Sequence, residues 1–419
     1  MNLCIFEDDL VVDTAPLTLT RPVFELTCGI LTLRKKILTQ FTGHQIIYFC
    51  RDHLSLLLQE QFPDALINQL PEEDTLFING RVLMNEFYTP ESHGNQPVCY
   101  TRDERVLAAA IPAGFIRHLT TEENGTLMFQ DVPFRKRHDV EWKVLRYPWE
   151  YIQSMPAEIE TDANRLALAN TLNPRNFPGM HVLGEEKVYV GENVRIKPGV
   201  VLDAEPGIIV LDDEVIIGHN ATVIGPCYIG PRSVISAGAN ITGQCSIGPV
   251  CKIGGEVGET VIQGYTNKKH DGFLGGAYLG EWVNLGAGTT NSDLKNNYST
   301  ISMPINGNMV NTGLQFVGCV IGDHTKTSIG TSINTGSVYG VGCNVFGKGF
   351  PPKFVPSFTW GGVEQWELYH LDKMLTTAEI VQLRRGVETS ATYREMLAAV
   401  FEMTTPEREN LPAELPGRS

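Results

Sequence analysis

Between Ile217 and Ile253 an aliphatic residue returns at every sixth position: Ile217, Val223, Ile229, Ile235, Ile241, Ile247 and Ile253. A period of six matches neither the 3.6 of an α-helix nor the 2.0 of a strand. It is the mark of a hexapeptide β-helix, in which each coil is a flattened triangle with one hexad per side. The aliphatic side chain points inward, where successive coils stack it into one continuous core. Glycine follows Ile217, Ile229, Ile247 and Ile253, where the chain must turn a tight corner. The period begins earlier, at Val190 and Ile196, and returns at Leu279, Leu285, Ile321, Ile333 and Val345. It predicts a parallel β-helix over residues 182–358. Two stretches, 255–273 and 289–317, break the period with polar, Gly- and Asn-rich sequence. They are expected to leave the stack as loops, where a solenoid often keeps its binding residues.

The flanks read differently. Residues 1–150 carry candidate strands at Asn2–Phe6, Gln45–Cys50 and Thr75–Ile78, alternating with helix-like runs at Ile30–Gln40 and His53–Gln61. That alternation predicts an α/β domain built on parallel strands. Tyr147-Pro148-Trp149 opens a helical connector over 151–181 that runs to about Leu172. Beyond 358, Thr376 and Glu379 form a capping-box pattern for a helix through Arg385. A second helix is expected over Glu388–Glu402, and a loose tail from Thr404 to Ser419. With 42% hydrophobic and 19% charged residues the chain has globular composition. It contains no apolar run of the ~20 residues that cross a bilayer, and its start lacks a secretory signal pattern. Nine dispersed cysteines without a CxxC pair point to reduced thiols in a cytoplasmic protein. The net charge of −15 argues against nucleic acid as a partner, but leaves room for small phosphorylated substrates.

Residues 270–289 read HDGFLGGAYLGEWVNLGAGT. This run resembles, without a gap, the motif H-x-x-Y-L-G-x-A-x-I-G-x-x-V-N-I-G-A-G-T. That motif occupies the acetyltransferase half of the bifunctional bacterial family that makes UDP-N-acetylglucosamine. The stretch from Cys245 to Ile253 also resembles a coil of that family. The resemblance implies a left-handed β-helix, acetyl-CoA as co-substrate and an amino sugar phosphate as acceptor. It places His270 on the catalytic histidine, and an imidazole, which changes charge near neutral pH, suits a general base. Asn284, Asn291 and Asp293 fall on positions that hold sugar or cofactor, and Lys252 on an arginine that holds the sugar phosphate. The amides of Gly286, Ala287 and Gly288 would lie against the acyl donor, as would the coils after Ile321, with Asp323. The family's tyrosine is Phe273 here, and its lysine twelve residues before the histidine is Gly258 or Glu259. Lys268, Lys269 or Lys295 would then supply the lost charge.

Ala15 to Leu26, with Pro16-Leu17-Thr18 and Thr20-Arg21-Pro22, resembles the P-L-T-x-T-R-P stretch of sugar-1-phosphate nucleotidylyltransferases. The phosphate-cradling G-x-G-T-R of those enzymes is replaced by the acidic run Glu7–Thr14. Arg81 stands where their strand-end aspartate binds magnesium. Arg21 and Arg81 are the candidate phosphate ligands, and Asp8, Asp9 or Asp13 the candidate holders of Mg²⁺. Taken whole, the chain resembles a divergent branch of the bifunctional family. That implies N-acetyl transfer and nucleotidyl transfer from a nucleoside triphosphate to a sugar 1-phosphate, in a homotrimer. Two alternatives stay open: an acyltransferase with a non-catalytic N-terminal domain, or a nucleotidylyltransferase whose β-helix only oligomerises.

Overall fold

The apolar run Asn2–Phe6 is buried along its whole length because it is the centre of a sheet. The computed structural model describes residues 2–85 and 95–409. In the first body, strands β1 (Asn2–Phe6), β2 (Gln45–Phe49), β3 (Leu66–Ile67), β4 (Thr75–Asn79), β5 (Val98–Arg102) and β6 (Arg105–Ile111) join a last strand, Lys136–Asp139. Their order is β3-β2-β1-β4-β6-β5, with Lys136–Asp139 outside β5. β1 is parallel to both β2 and β4, while β6 runs antiparallel to its neighbours. Helix α1 (Leu33–Gln40) connects β1 to β2, and α2 (Ser55–Gln61) connects β2 to β3. The chain thus winds outward from β1 in one direction and returns to its other side at β4. The carboxyl ends of β1 and β4 form the switch point where such sheets bind ligands.

Helix α3 (Pro148–Arg165) starts on a proline that fixes the first turn, with Glu150 accepting from the amides of Arg146 and Tyr147 at 2.6 and 3.2 Å. Its buried face, Trp149, Ile152, Met155 and Ile159, packs on the outward residues Tyr228, Val261, Tyr278 and Val320 of the second body.

That second body is a three-sided parallel β-helix of the hexapeptide kind, with sheets of nine, ten and six strands. The predicted inward residues, from Ile217 to Ile253, are all fully buried. One corner repeats as a column of left-handed residues: Glu214, Arg232, Val250, Tyr265, Trp282, His324 and Phe358, with φ between 51° and 61°. Left-handed backbone is costly for a residue with a side chain, so stacking of the coils must hold these corners in place.

The spacing along that column corrects the expectation for 255–273. Glu214, Arg232 and Val250 are 18 residues apart, whereas Tyr265 follows after 15 and Trp282 after 17. The segment does not leave the stack. It forms the strands Glu256–Gly258, Thr260–Gly264 and Asn267–Lys268, paired in register with the coils on either side. Short corners at Gly254-Gly255 and Glu259 take residues out of the hexads, so a six-residue count loses phase although the wall is continuous. The second break does protrude. After Thr290–Asn291 the chain leaves the coil and forms an antiparallel hairpin, Ser302–Ile305 with Asn308–Asn311. Ile301, Met303 and Ile305 bury against the α3 interface.

The C-terminal segment differs from expectation in its start. Helix α4 spans Leu371–Leu383, and Thr376 lies inside it, donating to the carbonyl of Asp372 at 2.8 Å instead of capping. Helix α5 (Ala391–Met403) begins after Ser390, whose hydroxyl accepts from Tyr393 N at 3.2 Å. A short helix α6 (Thr405–Glu409) occupies the start of the expected loose tail, whose residues 410–419 lie outside the described part. Met396, Leu397 and Val400 pack on Leu54, Leu57 and Leu58 of the α/β body, and Met374 on Val341 and Phe358 of the prism. All nine cysteines are buried and unpaired. Among the described residues no helix is long and apolar enough to cross a membrane.

One buried contact in this dock is pH-sensitive. His324 is 1% exposed, stacks on Trp282, and its Nε2 lies 2.7 Å from Tyr393 Oη. Burial, with Lys326 and Arg21 nearby, holds its imidazole well below the usual histidine range. Below a pH of about 6.5 the unfolded chain therefore takes up a proton that the folded chain refuses. Stability should fall as the pH drops from 7.5 to 5.5, by up to about 1.4 kcal/mol per pH unit. Thermal melts of His324→Phe, with the same packing but no titration, should lose that share of the slope. An unchanged slope would contradict this account.

Candidate functional site

His270 lies at an exposed corner of the prism, in the turn Lys269–Gly272 between the strands Asn267–Lys268 and Phe273–Gly275. The same edge carries the turn Gly286–Thr289 on the next coil and Ser328–Thr331 above it, joined by Gly288 N to Asp271 O at 2.9 Å and Gly330 N to Ala287 O at 2.8 Å. Of the three amides expected to face an acyl donor, Gly286 N donates to Thr327 O and Gly288 N to Asp271 O. Those two hold the stack. Only the Ala287 N–H has no acceptor among the described residues. Ile329, 82% exposed, is the apolar neighbour on this edge.

One wall beside the corner carries an outward column in register, Val234, Lys252, Asn267, Asn284 and Lys326. Lys252 and Asn284 thus share the face next to His270, and Asn284 Oδ1 accepts from Asn267 Nδ2 at 2.7 Å. Behind the corner the core turns polar. Lys268 takes the inward position paired with Ile253, is 2% exposed, and donates from Nζ to Gly254 O at 2.9 Å and His270 O at 2.8 Å. Burial pushes its ammonium down to about 8. It fixes the backbone of the His270 turn from inside, and so is not available to a substrate as a replacement charge. Asn291 is also turned inward, clamping Gly275 through its N–H at 2.9 Å and its C=O at 2.8 Å. It completes the coil wall and presents nothing to solvent.

Asp293 lies at the far end of the His270-to-Asp293 side of the triangle, beside Gly275 and Gly276. Burial first, then the charge of Glu256, raises its carboxyl above the usual range; burial and Asp293 raise Glu259 likewise. Glu259 and Gly276 border a cleft of about 320 Å³ closed by Trp149, Ile152, Gln153, Leu314 and Phe316. Sequence reading did not find this cleft, because its wall joins α3 to the far end of the 289–317 excursion. Lys295 belongs to that excursion, and its Nζ donates to Thr300 O at 2.7 Å.

Three further assignments are corrected. Arg21 is not presented to a ligand: its guanidinium grips Asp323 through Nη1 at 3.1 Å and Nη2 at 2.5 Å, with Glu281 at 3.2 Å. Asp323, expected at the acyl donor, is fully buried in that contact, and Thr20 Oγ1 donates to it at 2.8 Å. The pair locks the P-L-T-L-T-R loop of the α/β body onto the prism. Arg81 is 2% exposed and bonded to Asp8, from Nε at 2.8 Å and also from Nη2, with Nη1 on Leu145 O at 3.1 Å. Burial alone would push the Asp8 carboxyl up, but Arg81 more than offsets this and holds it below the ordinary range.

Asp9 pairs with Arg105, and Asp13 with Arg146 at 2.5 Å. Each acid of the loop already faces a guanidinium, so the set does not fit a divalent cation. No cluster of three or more His, Cys, Asp or Glu groups suited to a metal occurs among the described residues. A cleft of about 210 Å³ nevertheless opens at the switch point, lined by Phe6, Asp8, Asp9, Arg105, Phe129 and Arg137. Arg137 lies over the Phe134 ring and has no ion pair among the described residues.

The chain is similar to known proteins of two kinds. A bifunctional sugar-1-phosphate nucleotidylyltransferase/acetyltransferase of Sulfurisphaera tokodaii is 26% identical over 243 residues, 55% of this chain and 54% of the relative. The chain therefore spans about half the length of the curated relative it matches. Solved UDP-N-acetylglucosamine acyltransferases from Arabidopsis and Campylobacter jejuni align at 15% and 11% identity. They cover 56% and 58% of this chain, and 92% and 99% of their own, with a TM-score of 0.27 in both cases. Residues 3–171, the α/β body and its connecting helix, match the family model described as sugar nucleotidyl transferase.

Proposed function

We propose that the chain is a cytoplasmic transferase of nucleotide-sugar synthesis, whose prism moves an acetyl group from acetyl-CoA to an amino sugar phosphate. Glucosamine 1-phosphate is the leading acceptor. One observation carries the reading: His270 stands on an exposed corner, its backbone held from inside by Lys268, with Lys252 and Asn284 on the adjoining wall. In the reaction the free amine attacks the thioester carbonyl and forms the new C–N bond. His270 takes the proton the nitrogen sheds, and the C–S bond breaks to release the thiol of coenzyme A. The Ala287 N–H, alone among the three amides of its turn, is free to face the oxyanion. The corner is open in a single chain, which favours a homotrimer in which a neighbour closes it. Nine unpaired thiols fit a reducing compartment.

For the α/β body the ligand is a sugar 1-phosphate or nucleotide at the switch-point cleft, where Arg105 and Arg137 meet its phosphates. The pairing of Asp8, Asp9 and Asp13 with arginines favours a second reading in which this body binds its nucleotide sugar without carrying out nucleotidyl transfer.

Both are tested together. The protein is incubated with acetyl-CoA and glucosamine 1-phosphate, and separately with nucleoside triphosphates, N-acetylglucosamine 1-phosphate and Mg²⁺, and the products are identified by mass. An N-acetylated sugar phosphate is expected from the first mixture. Its absence, across a panel of amino sugar phosphates, would overturn the acyltransfer reading. Release of pyrophosphate in the second would overturn the binding-only reading. By light scattering the particle should weigh about three times the 46.3 kDa chain, and a monomer would refute the trimer.

A further inference from the structure

A chain with 33 basic against 48 acidic residues can be expected to shield its cations from one another. At one place it does the opposite. Helix α4 runs along the prism corner marked by the left-handed residues, with Met374 against Val341 and Phe358 at one end. From Met374 to Arg385 a helix advances about 16 Å, which is between three and four coils at the ~4.8 Å spacing of paired strands. That carries its last turn back to the coil of Cys251 and Lys252. Gly386, at φ 72°, then ends the helix, with its N–H on Leu383 O at 2.9 Å. Arg384 and Arg385 stop beside the wall that leads to His270.

Four cations meet there. Lys252 stands on the wall, and Lys269 belongs to the His270 turn. Arg384 and Arg385 come from the helix. None of their side chains has a hydrogen bond or an ion pair among the described residues. Of the acids near them, Glu281 is paired with Arg21 and Glu379 with Arg394, while Asp271 stands in the same turn as Lys269 and bonds none of the four. Arg385 Nε is buried and has no acceptor among the described residues, and a buried donor left unpaired is destabilising. The charge of Arg385, then burial, Lys269 and Arg384, pushes the Lys252 ammonium below the usual lysine range, and no carboxylate counters them. Attraction to the carbonyl end of α4 accounts for two arginines directly after its last residue, Leu383. It does not account for their facing two lysines.

We infer that Arg384 and Arg385 complete, with Lys252 and Lys269, a phosphate-binding site beside His270. A phosphate there gives the orphaned Nε an acceptor and relieves the mutual repulsion of the four cations. The four cations also stand in for the lysine charge missing at Gly258 and Glu259. The inference rests on the proposed acyl transfer only for the source of the phosphate, which is either the sugar acceptor or coenzyme A. The chemistry recognised is the same in both.

The test is calorimetric titration of the intact chain with four probes: glucosamine 1-phosphate, glucosamine, coenzyme A and dephospho-coenzyme A. Charge-assisted bonds of about 1.5–3 kcal/mol correspond to roughly 10–100-fold in affinity. Arg384→Gln/Arg385→Gln should weaken the phosphate-bearing probe by that order, while the melting temperature stays level or rises as repulsion is removed. The Lys pair at the same positions should retain part of the affinity. A loss for glucosamine 1-phosphate, with glucosamine unaffected, assigns the site to the acceptor. A loss for coenzyme A but not its dephospho form assigns it to the donor. The inference fails if the double Gln variant binds every probe as the parent does, or if the parent binds no phosphate-bearing probe at millimolar concentration. A parent without acyl transfer whose phosphate affinity still depends on the arginines keeps the site and loses the reaction. Normal transfer and unaltered binding in the variant do the reverse.

Discussion

Replacing His270 with alanine should lower kcat for acetyl transfer by about 10²–10⁴-fold, the usual span for loss of a general base. The residue is exposed and contributes no packing to the prism core, so the fold should survive the change. Its turn is held by backbone and by Lys268, through Gly288 N to Asp271 O and Lys268 Nζ to His270 O, none of which involves the imidazole. KM for acetyl-CoA should therefore change little, and the melting temperature should stay within a degree or two. His270→Gln keeps hydrogen bonding without basicity and should be nearly as slow as alanine. Lys268→Met offers a contrast: it leaves the imidazole in place but frees the turn, so kcat should fall less and KM should move with it. Near-normal transfer by His270→Ala would make the histidine a bystander. Asp293, whose carboxyl is raised by burial and Glu256, would then be the next base to test.

How far the sequence reached follows from what each residue has to satisfy. The hexads from Ile217 to Ile253 announce themselves because every inward site there needs an aliphatic side chain of similar volume. On the coils that follow Ile253 the inward sites include Lys268 and Asn291, which a hydrophobic count reads as surface. Short corners at Gly254-Gly255 also shift the phase, so a continuous wall looked like an inserted loop. Local patterns failed where a tertiary partner decides the outcome. Thr376 and Glu379 have the spacing of a cap, but α4 begins five residues earlier, where the chain leaves the prism at Tyr369. Arg21 and Arg81 look like phosphate ligands until their partners are seen. Asp323, 302 residues away, and Asp8 already occupy them, and no local window contains that information. Three strands of the α/β body were legible to within a residue, Asn2–Phe6 as a wholly buried run and Gln45–Phe49 by its buried last three residues among them, whereas Leu66–Ile67, Val98–Arg102, Arg105–Ile111 and Lys136–Asp139 were not read.

The largest expected loss of stability lies at Lys36, on the buried side of α1. Its ammonium is fully enclosed and bonded to Glu158 Oε2 at 2.7 Å and to both oxygens of Asp162 at 2.6 Å. Asp162 also accepts from the amides of Ile30 and Leu31 at 3.0 Å, and Asn85 Nδ2 donates to Glu158 Oε1 at 2.6 Å. Through this cluster α3, which lies on the prism, is tied to the α/β body. Lys36→Met fills the same space without a charge and strands two carboxylates away from water, for which about 3–5 kcal/mol is typical. Burial raises the Asp162 carboxyl even with Lys36 beside it, so the ions are held at a cost and their attraction only offsets it. Adding Glu158→Gln and Asp162→Asn to Lys36→Met should therefore recover most of the loss, although Arg165 gives up its 3.2 Å contact with Asp162. The single variant should also respond to pH. With the lysine gone, the folded chain binds protons on these acids more tightly than the unfolded chain does. Its deficit should then narrow as the pH falls from 7 toward the ordinary carboxylate range, near 4–4.5. Urea denaturation of the three proteins at two pH values decides the matter. A loss in Lys36→Met that neither the added amides nor acid reduces would mean the lysine acts through its packing and not through its charge.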